Sequence, residues 1–425
     1  MRKILCHLVL GAVVTLSLPT LAAEKKDTSP QAAADQRIEE RHKERKSQAL
    51  SERVGKKLQK AFDAYTAEDI SGAIALLQDI KADKEYDKAV VARFLGNMYA
   101  LQEGSGSKAI KALKEAVDLD VLSAKDHAQS MLLLADLLKQ EKRYQDAIKY
   151  YDGWTAFTGE ESVPVYLSKA QALYEMKKYA EMIPPLDRAI AISPKPDKNA
   201  YILKLSSYYE RKDYKSSVRV LEDLVKYFPG DERWWVQLGT FYMMVDNFSK
   251  ALATMEVAYL NGMLKKDTEF KMLVQLYANN GIPYKSAVLQ EKFIKDGVFP
   301  RDVKALTTLA NTWHTAKEFK KARAIYLEAA AMSGDGELYR KAGEVALQSE
   351  AYNEALESFQ KALDAKVAQP ERVYLSMADA YISKKQYRDA YQYVKKAEQY
   401  PKTEKTARSW ASYLLDKAKQ SGQSI

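Results

Sequence analysis

Few residue types in this chain are placed to do chemistry. There is one cysteine, Cys6, so an internal disulfide, a zinc knuckle and an iron–sulfur cluster are all excluded. Beyond the N-terminal apolar stretch the histidines are His42, His127 and His314, far apart and with no pair at metal-ligand spacing. Gly104-Ser105-Gly106-Ser107-Lys108 looks superficially like a phosphate-cradling loop, but it lacks the preceding strand and the full spacing. The carboxylate pairs Glu39-Glu40 and Glu160-Glu161 are of the kind that general acid–base catalysis uses. They are equally the composition of solvated loops and helices, and nothing marks them further. No nucleophile elbow, Walker loop or dinucleotide fingerprint occurs. These observations imply no metal, no cofactor and no catalytic residue.

The elements that hold these residues follow from a period. An aromatic recurs at Tyr144, Tyr179, Tyr214, Phe248, Tyr284, Phe319, Tyr352 and Tyr387, at intervals of 33 to 36 residues. Small residues recur around it: nine before (Ala135, Ala170, Gly239, Ala310, Gly343, Ala378), three after (Ala147, Ala251, Ala287, Ala322, Ala355, Ala390) and ten after (Ala189, Ala258, Ala329, Ala362, Ala397). Two helices approach closely only where side chains are small, so each period predicts a pair of antiparallel helices. The recurring aromatic starts the second helix and is expected to plug the seam between pairs. It also accounts for much of the tyrosine excess, 28 against 11 phenylalanines and 5 tryptophans.

This spacing resembles the tetratricopeptide repeat. The resemblance implies an all-α fold, an α-solenoid of about ten helix-turn-helix repeats over residues 54–420, with strong repeats from about 128 to 402. Gly104-Ser-Gly106 then becomes a helix-to-helix turn. Pro184-Pro185 should make its second helix start late or kink. Thr403 to Gln420 has no partner helix and is read as a C-terminal cap carrying Trp410, Tyr413 and Leu414 on one face, with residues 421–425 a tail.

The two ends carry different information. Met1-Arg2-Lys3, a mostly apolar run to Leu18, Pro19, and small residues before Ala23 form the three-part pattern of a signal peptide over residues 1–22, cut between Ala22 and Ala23. The apolar run is too short to cross a bilayer. Cleavage removes Cys6 and two of the 66 cations, lowering the net charge from +9 to +7. The expected location is the periplasm, with no integral membrane segment left. Residues 23–53 are polar and charge-balanced, and are read as a flexible linker. The remaining positive charge is spread through the repeats, which argues against nucleic acid.

In such a solenoid the first helix of each repeat lines the concave side. The register places Leu167, Gln171, Tyr174, Ile202, Ser206, Tyr209, Val236, Thr240, Met243, Met272, Asn279 and His314 along that face. From Leu167 to Asn279 it is nearly uncharged and rich in Tyr and Met, which suits an extended peptide or an amphipathic helix. The same first-row residues would also simply pack on the neighbouring helix. The Lys/Asn clamp for a C-terminal carboxylate found in chaperone-binding members of the family has no counterpart here.

Three stretches carry a closer resemblance: Lys84–Tyr99, Tyr201–Lys212 and Ile282–Ala287. With the signal peptide they resemble periplasmic tetratricopeptide proteins encoded beside TonB–ExbB–ExbD energy-transduction genes in marine gamma-proteobacteria. That resemblance implies a non-enzymatic scaffold with partners of the TonB/ExbB/ExbD type, serving outer-membrane uptake. An envelope-assembly adaptor for outer-membrane or peptidoglycan machinery, and an unrecognised hydrolase, are the other readings the residues leave open.

Overall fold

The computed structural model describes Glu40, Lys43, Arg45 and residues 48–425. The proposed signal peptide, its cut between Ala22 and Ala23, and most of the polar segment lie outside the described residues.

The period becomes ten helix pairs and a terminal helix. The pairs are α1 (Glu52–Thr66) with α2 (Ile70–Gln78), α3 (Glu85–Leu101) with α4 (Gly106–Asp118), α5 (Ala124–Gln140) with α6 (Tyr144–Thr158), and α7 (Val163–Glu175) with α8 (Ile183–Ile192). Then come α9 (Lys198–Glu210) with α10 (Tyr214–Tyr227), α11 (Glu232–Met244) with α12 (Phe248–Leu260), and α13 (Asp267–Asn279) with α14 (Pro283–Lys295). The last are α15 (Val303–Thr315) with α16 (Phe319–Ser333), α17 (Gly336–Gln348) with α18 (Tyr352–Asp364), α19 (Pro370–Ser383) with α20 (Tyr387–Glu398), and α21 (Glu404–Gln420) alone. No strand occurs among the described residues. The helices gather into two compact units, one ending at Lys195 and the other Pro196–Ile425. The division falls in the α8–α9 connection, where Pro194 and Pro196 cannot continue a helix.

Within each pair the small positions do what their size allows. Ala147, Ala251, Ala287, Ala322, Ala355 and Ala390 are fully buried, as are Ala135, Ala170, Ala310 and Ala378. A Cβ on Gly239 would lie 2.7 Å from Met255, and one on Gly343 would lie 2.5 Å from the Phe359 ring. These contacts are the helix crossing itself.

The turn inside each pair repeats as closely as the packing. In the third pair the amide of Lys142 bonds the Lys139 carbonyl (3.1 Å) and that of Arg143 the Leu138 carbonyl (2.8 Å). The same two bonds recur at Lys177, Lys212, Asp246, Gly281, Lys317, Glu350 and Lys385. This is the Schellman closure of a helix, which places the residue after the cap in the left-handed region. All eight have φ between 58° and 75°, yet only one is glycine. Gly104, with φ 77°, turns the second pair, and Ser105 precedes the first residue of α4.

Four expectations change. The aromatic that opens each second helix is not the buried plug. Phe248 and Tyr284 are 40% and 50% exposed, and the other six are part-buried. Each lies at the mouth of the seam: Tyr214 meets Phe241 edge-on at 6.0 Å and Tyr284 meets Trp313 at 5.4 Å. The plug is the residue seven further on, two helical turns deeper: Tyr151, Leu186, Leu221, Met255, Tyr326, Phe359 and Val394, all at most 2% exposed. Secondly, the seventh pair is out of step by one. Its left-handed residue is Gly281, so Pro283, not Tyr284, opens α14, and Ser286 and Gln290 fill the small and plug positions. Their polar groups are satisfied: Ser286 donates to the Val274 carbonyl (2.7 Å), and Gln290 donates to Ser286 (3.1 Å) and Thr312 (3.0 Å). Thirdly, the apolar stripe of α21 is Ala407, Ala411, Leu414 and Ala418, while Tyr413 is 47% exposed. Lastly, the polar segment taken as a free linker is attached where it is described. Ser51 donates from its amide (3.1 Å) and hydroxyl (2.6 Å) to the buried Asp87, and Arg53 bonds Asp83 and the Lys81 carbonyl.

Pro184-Pro185 behaves as its chemistry requires. A short 3-10 turn, Tyr179–Met182, precedes α8, and the prolines occupy its first turn, where no amide donor is needed.

Candidate functional site

The first helices of successive pairs touch one another, so their outward residues share a face within each unit. In the second unit Tyr209 of α9 packs on Phe241 of α11 (6.0 Å), Thr240 of α11 approaches the Met272 sulfur of α13 (4.0 Å), and His314 of α15 bonds Gln348 of α17 (2.7 Å). In the first unit Lys139 of α5 donates to Ser168 of α7 (2.8 Å) and reaches Gln171 (3.5 Å), while Tyr174 packs on Tyr179 (5.5 Å).

None of the twelve expected face residues is buried. Leu167, Gln171 and Tyr174 belong to the first unit, on α7. Ile202, Ser206 and Tyr209 on α9, Val236, Thr240 and Met243 on α11, Met272 and Asn279 on α13, and His314 on α15 belong to the second. Tyr209 is 52% exposed, the most open of the apolar members. Ser206 and Thr240 spend their hydroxyls on the carbonyls one turn back, Ile202 and Val236, so they present methylene and methyl surface rather than free donors. The slip in the seventh pair moves Asn279 off the row. The position equivalent to Tyr209 there is Ala278, and Leu276 is core at 1% exposed.

The periodic reading missed how the core reaches this face. Tyr151, at the plug position, sends its hydroxyl to Asp136 (2.5 Å), and Tyr326 does the same to Asn311. Asp136 and Asn311 both lie on first helices, fifteen before their tyrosines. Burial, with the Asp136 charge second, pushes the Tyr151 phenol far above its ordinary value, so it stays a proton donor. In the tenth pair the plug is Val394, which has no hydroxyl. Asp379, fifteen earlier, is left half-buried, and burial raises its carboxyl above the usual carboxylate range. A tyrosine fifteen after an Asp or Asn on the first helix is the signal that would have found these links.

An open cleft of about 510 Å3 lies beside the α10–α11 turn, lined by Lys198, Phe228, Asp231 and Arg233. Its charges are paired: Asp231 holds Lys198 (2.6 Å) and Arg233 (2.7 Å), and the Arg233 hydrogen bond keeps its carboxyl well below the usual range. Among the described residues no group of three His, Cys, Asp or Glu is placed to hold a metal ion, and no helix is long and apolar enough to cross a membrane.

Residues 98–162, which span α4, α5 and α6 with the last residues of α3, match the tetratricopeptide repeat family. The matched stretch holds one whole helix pair, α5 with α6, and the second helix of the pair before it. No curated protein matches the chain in sequence. Among solved structures, a tetratricopeptide repeat protein from Parabacteroides merdae is similar at 13% identity, over 62% of this chain and 99% of that one, with a TM-score of 0.36. MamA from Desulfovibrio magneticus RS-1 is similar at 20% identity, over 41% and 96%, with a TM-score of 0.33. The Naa15/Naa10 complex bound to HypK-THB is similar at 12% identity with a TM-score of 0.46, covering 87% of this chain and 61% of that one.

Proposed function

We propose that this chain is throughout a tetratricopeptide-type repeat array and a non-enzymatic scaffold of the periplasm that holds a protein partner on its first-helix face, in the service of a TonB-type energy-transduction system. The observation that carries the binding role is the row in the second unit. Ile202, Tyr209, Val236, Met243 and Met272 stay partly or largely open although every helix around them buries its apolar stripe. A face built only to pack would bury them. The Ser206 and Thr240 hydroxyls on it are internally satisfied, so an apolar segment covering them strands neither. Met adapts to varied side chains, and Tyr offers area at low entropic cost. The periplasmic and TonB parts of the reading rest on the signal-peptide pattern and on the three resembling stretches.

The test is crosslinking in intact cells with a photoreactive residue at position 209, followed by identification of the attached chains. Components of the TonB type are the expected capture. Capture of outer-membrane assembly or peptidoglycan machinery in their place would replace the TonB reading with the envelope-assembly one. Tyr209→Asp with Met243→Asp should lower capture at least about tenfold, as hot-spot losses do, while helical content and melting temperature hold. A large loss of stability would show that the row is core and would sink the binding role.

A further inference from the structure

The N-terminal polar segment delivers one side chain into a formed cleft. The Arg45 guanidinium lies 5.1 Å over the Phe157 ring at the end of α6. Its Nη1 donates to the carbonyl oxygens of Leu122 (2.6 Å) and Asp120 (3.2 Å), and its Nη2 to Asp120 Oδ1 (2.5 Å). A flat aromatic floor with acceptors around one edge suits a planar fork of donors better than a point charge. The cleft is shaped by the α4–α5 connection, where Asp120 adopts a left-handed φ of 49° and Leu122 is buried.

A second cation-forming group faces the same carboxylate. His127 on α5 is 5% exposed and also packs on Phe157, ring centroids 4.7 Å apart. Its Nδ1 has no hydrogen-bond partner and lies 3.6 Å from Asp120 Oδ1, the oxygen that Arg45 already uses. The charged groups around the imidazole are few. The N-terminal segment brings Arg45 and the α4–α5 connection brings Asp120. Asp126 of α5 is tied to Arg93 of α3 (2.8 Å), and α6 presents the uncharged Phe157 ring. A protonated His127 would need the Asp120 oxygen and would repel the guanidinium.

We propose that this cleft is a guanidinium-binding site, filled by Arg45 of the same chain and emptied when His127 becomes charged. Burial first, and Arg45 as well, hold the His127 pKa below its ordinary value, with Asp120 opposing, which agrees with a neutral ring while the site is filled. Linkage makes the effect reciprocal: losing Arg45 must raise the His127 pKa, and charging His127 must loosen Arg45. Together with the Ser51–Asp87 contacts, the filled site ties the segment ahead of α1 to the second and third helix pairs.

The experiment is a proton NMR titration of His127 in the full chain and in the variant Arg45→Gln. The midpoint is expected to rise by about half a pH unit or more in the variant, with far-ultraviolet circular dichroism unchanged. Equal midpoints overturn the proposal. Adding N-acetyl-arginine amide to Arg45→Gln should shift the His127 resonance and lower its midpoint again, and N-acetyl-lysine amide should not. An equal response to both amides, or to neither, refutes a guanidinium site. Tryptic cleavage after Arg45 reads the same contact without relying on that variant. It should be at least about tenfold faster in Asp120→Asn than in the unaltered chain at pH 8, one decade reflecting a modest contact. His127→Gln should remove the acceleration that the unaltered chain shows, relative to cleavage after Arg53, on going to pH 6. Equal rates in all three chains count against the latch.

Discussion

At the scale of single residues, the fold is limited by what lies within 3 Å of a few Cα atoms. Gly343→Ala would force a methyl group into the Phe359 ring, 2.5 Å away at the α17–α18 crossing. It should cost about 1–3 kcal/mol, the usual price of overpacking. Gly55, inside α1 with nothing within 4 Å of an added Cβ, is the control: Gly55→Ala should gain about 0.5–1 kcal/mol from helix propensity. Urea denaturation of both variants checks the pair, and a neutral Gly343→Ala would mean the crossing can spread. Charge acts at the same scale. Asp231 caps α11, and Arg233 and then Lys198 depress its carboxyl below the ordinary 3.8. A depressed carboxyl contributes stability that is fully present above its unfolded value and is lost as pH falls through the folded one. The melting temperature should therefore drop steeply below the ordinary carboxylate value, and Asp231→Asn, which keeps the cap, should flatten that limb. Parallel acid limbs in the two proteins would deny Asp231 this role. The repeat period predicted Gly343 as a small residue. It did not predict Asp231, because an ion pair between a turn and the start of the preceding helix has no fixed spacing.

At the scale of the element, the recurring unit is the turn. The eight first helices from α5 to α19 end in the same Schellman closure, as α1 does at Glu68, and five of those eight left-handed residues are lysines: Lys142, Lys177, Lys212, Lys317 and Lys385. A side chain in that conformation costs about 1–2 kcal/mol relative to glycine. Lys212→Gly should therefore stabilise the second unit by about 1 kcal/mol, read as a shift in the urea midpoint at constant slope. A loss would show that the exposed Lys212 side chain makes a stabilising contact. The turn also explains the slip at the seventh pair. Tyr284 has the right residue type for the repeat, but Gly281 sets where the helix ends, and Pro283 can open the next one without an amide donor. Backbone closure outranks side-chain likeness, and a count of aromatics cannot register that.

At the scale of the whole molecule, each helix pair leaves a face that only another helix can cover. The last is closed by α21, which packs Ala407, Ala411 and Leu414 on Ala390, Val394 and Ala397. A chain ending at Lys402 would present that face to water. It should self-associate with rising concentration, and light scattering on a dilution series would show it. A monomer at all concentrations would mean α21 is dispensable. The outward stripe of α21 is charged, with Arg408 bonded to Glu404 and Glu398, as a solvated end requires.

Sequence alone was enough for the all-α helix-pair fold, the approximate number of pairs, most of the small positions at the crossings and the cap. All of these follow from a 34-residue period and from the sizes of side chains that recur with it, which are local properties. Tertiary structure alone decided which aromatics are core. The residue seven beyond the repeat aromatic points inward because it lies two turns deeper on the same helix face, and Tyr151 and Tyr326 thread hydroxyls from there to Asp136 and Asn311. It also decided that Arg45, in a segment with no apolar face, meets Phe157, Asp120 and His127. Those partners lie 75 or more residues away in the chain, and charge patterning along the sequence carries no record of contacts at that separation.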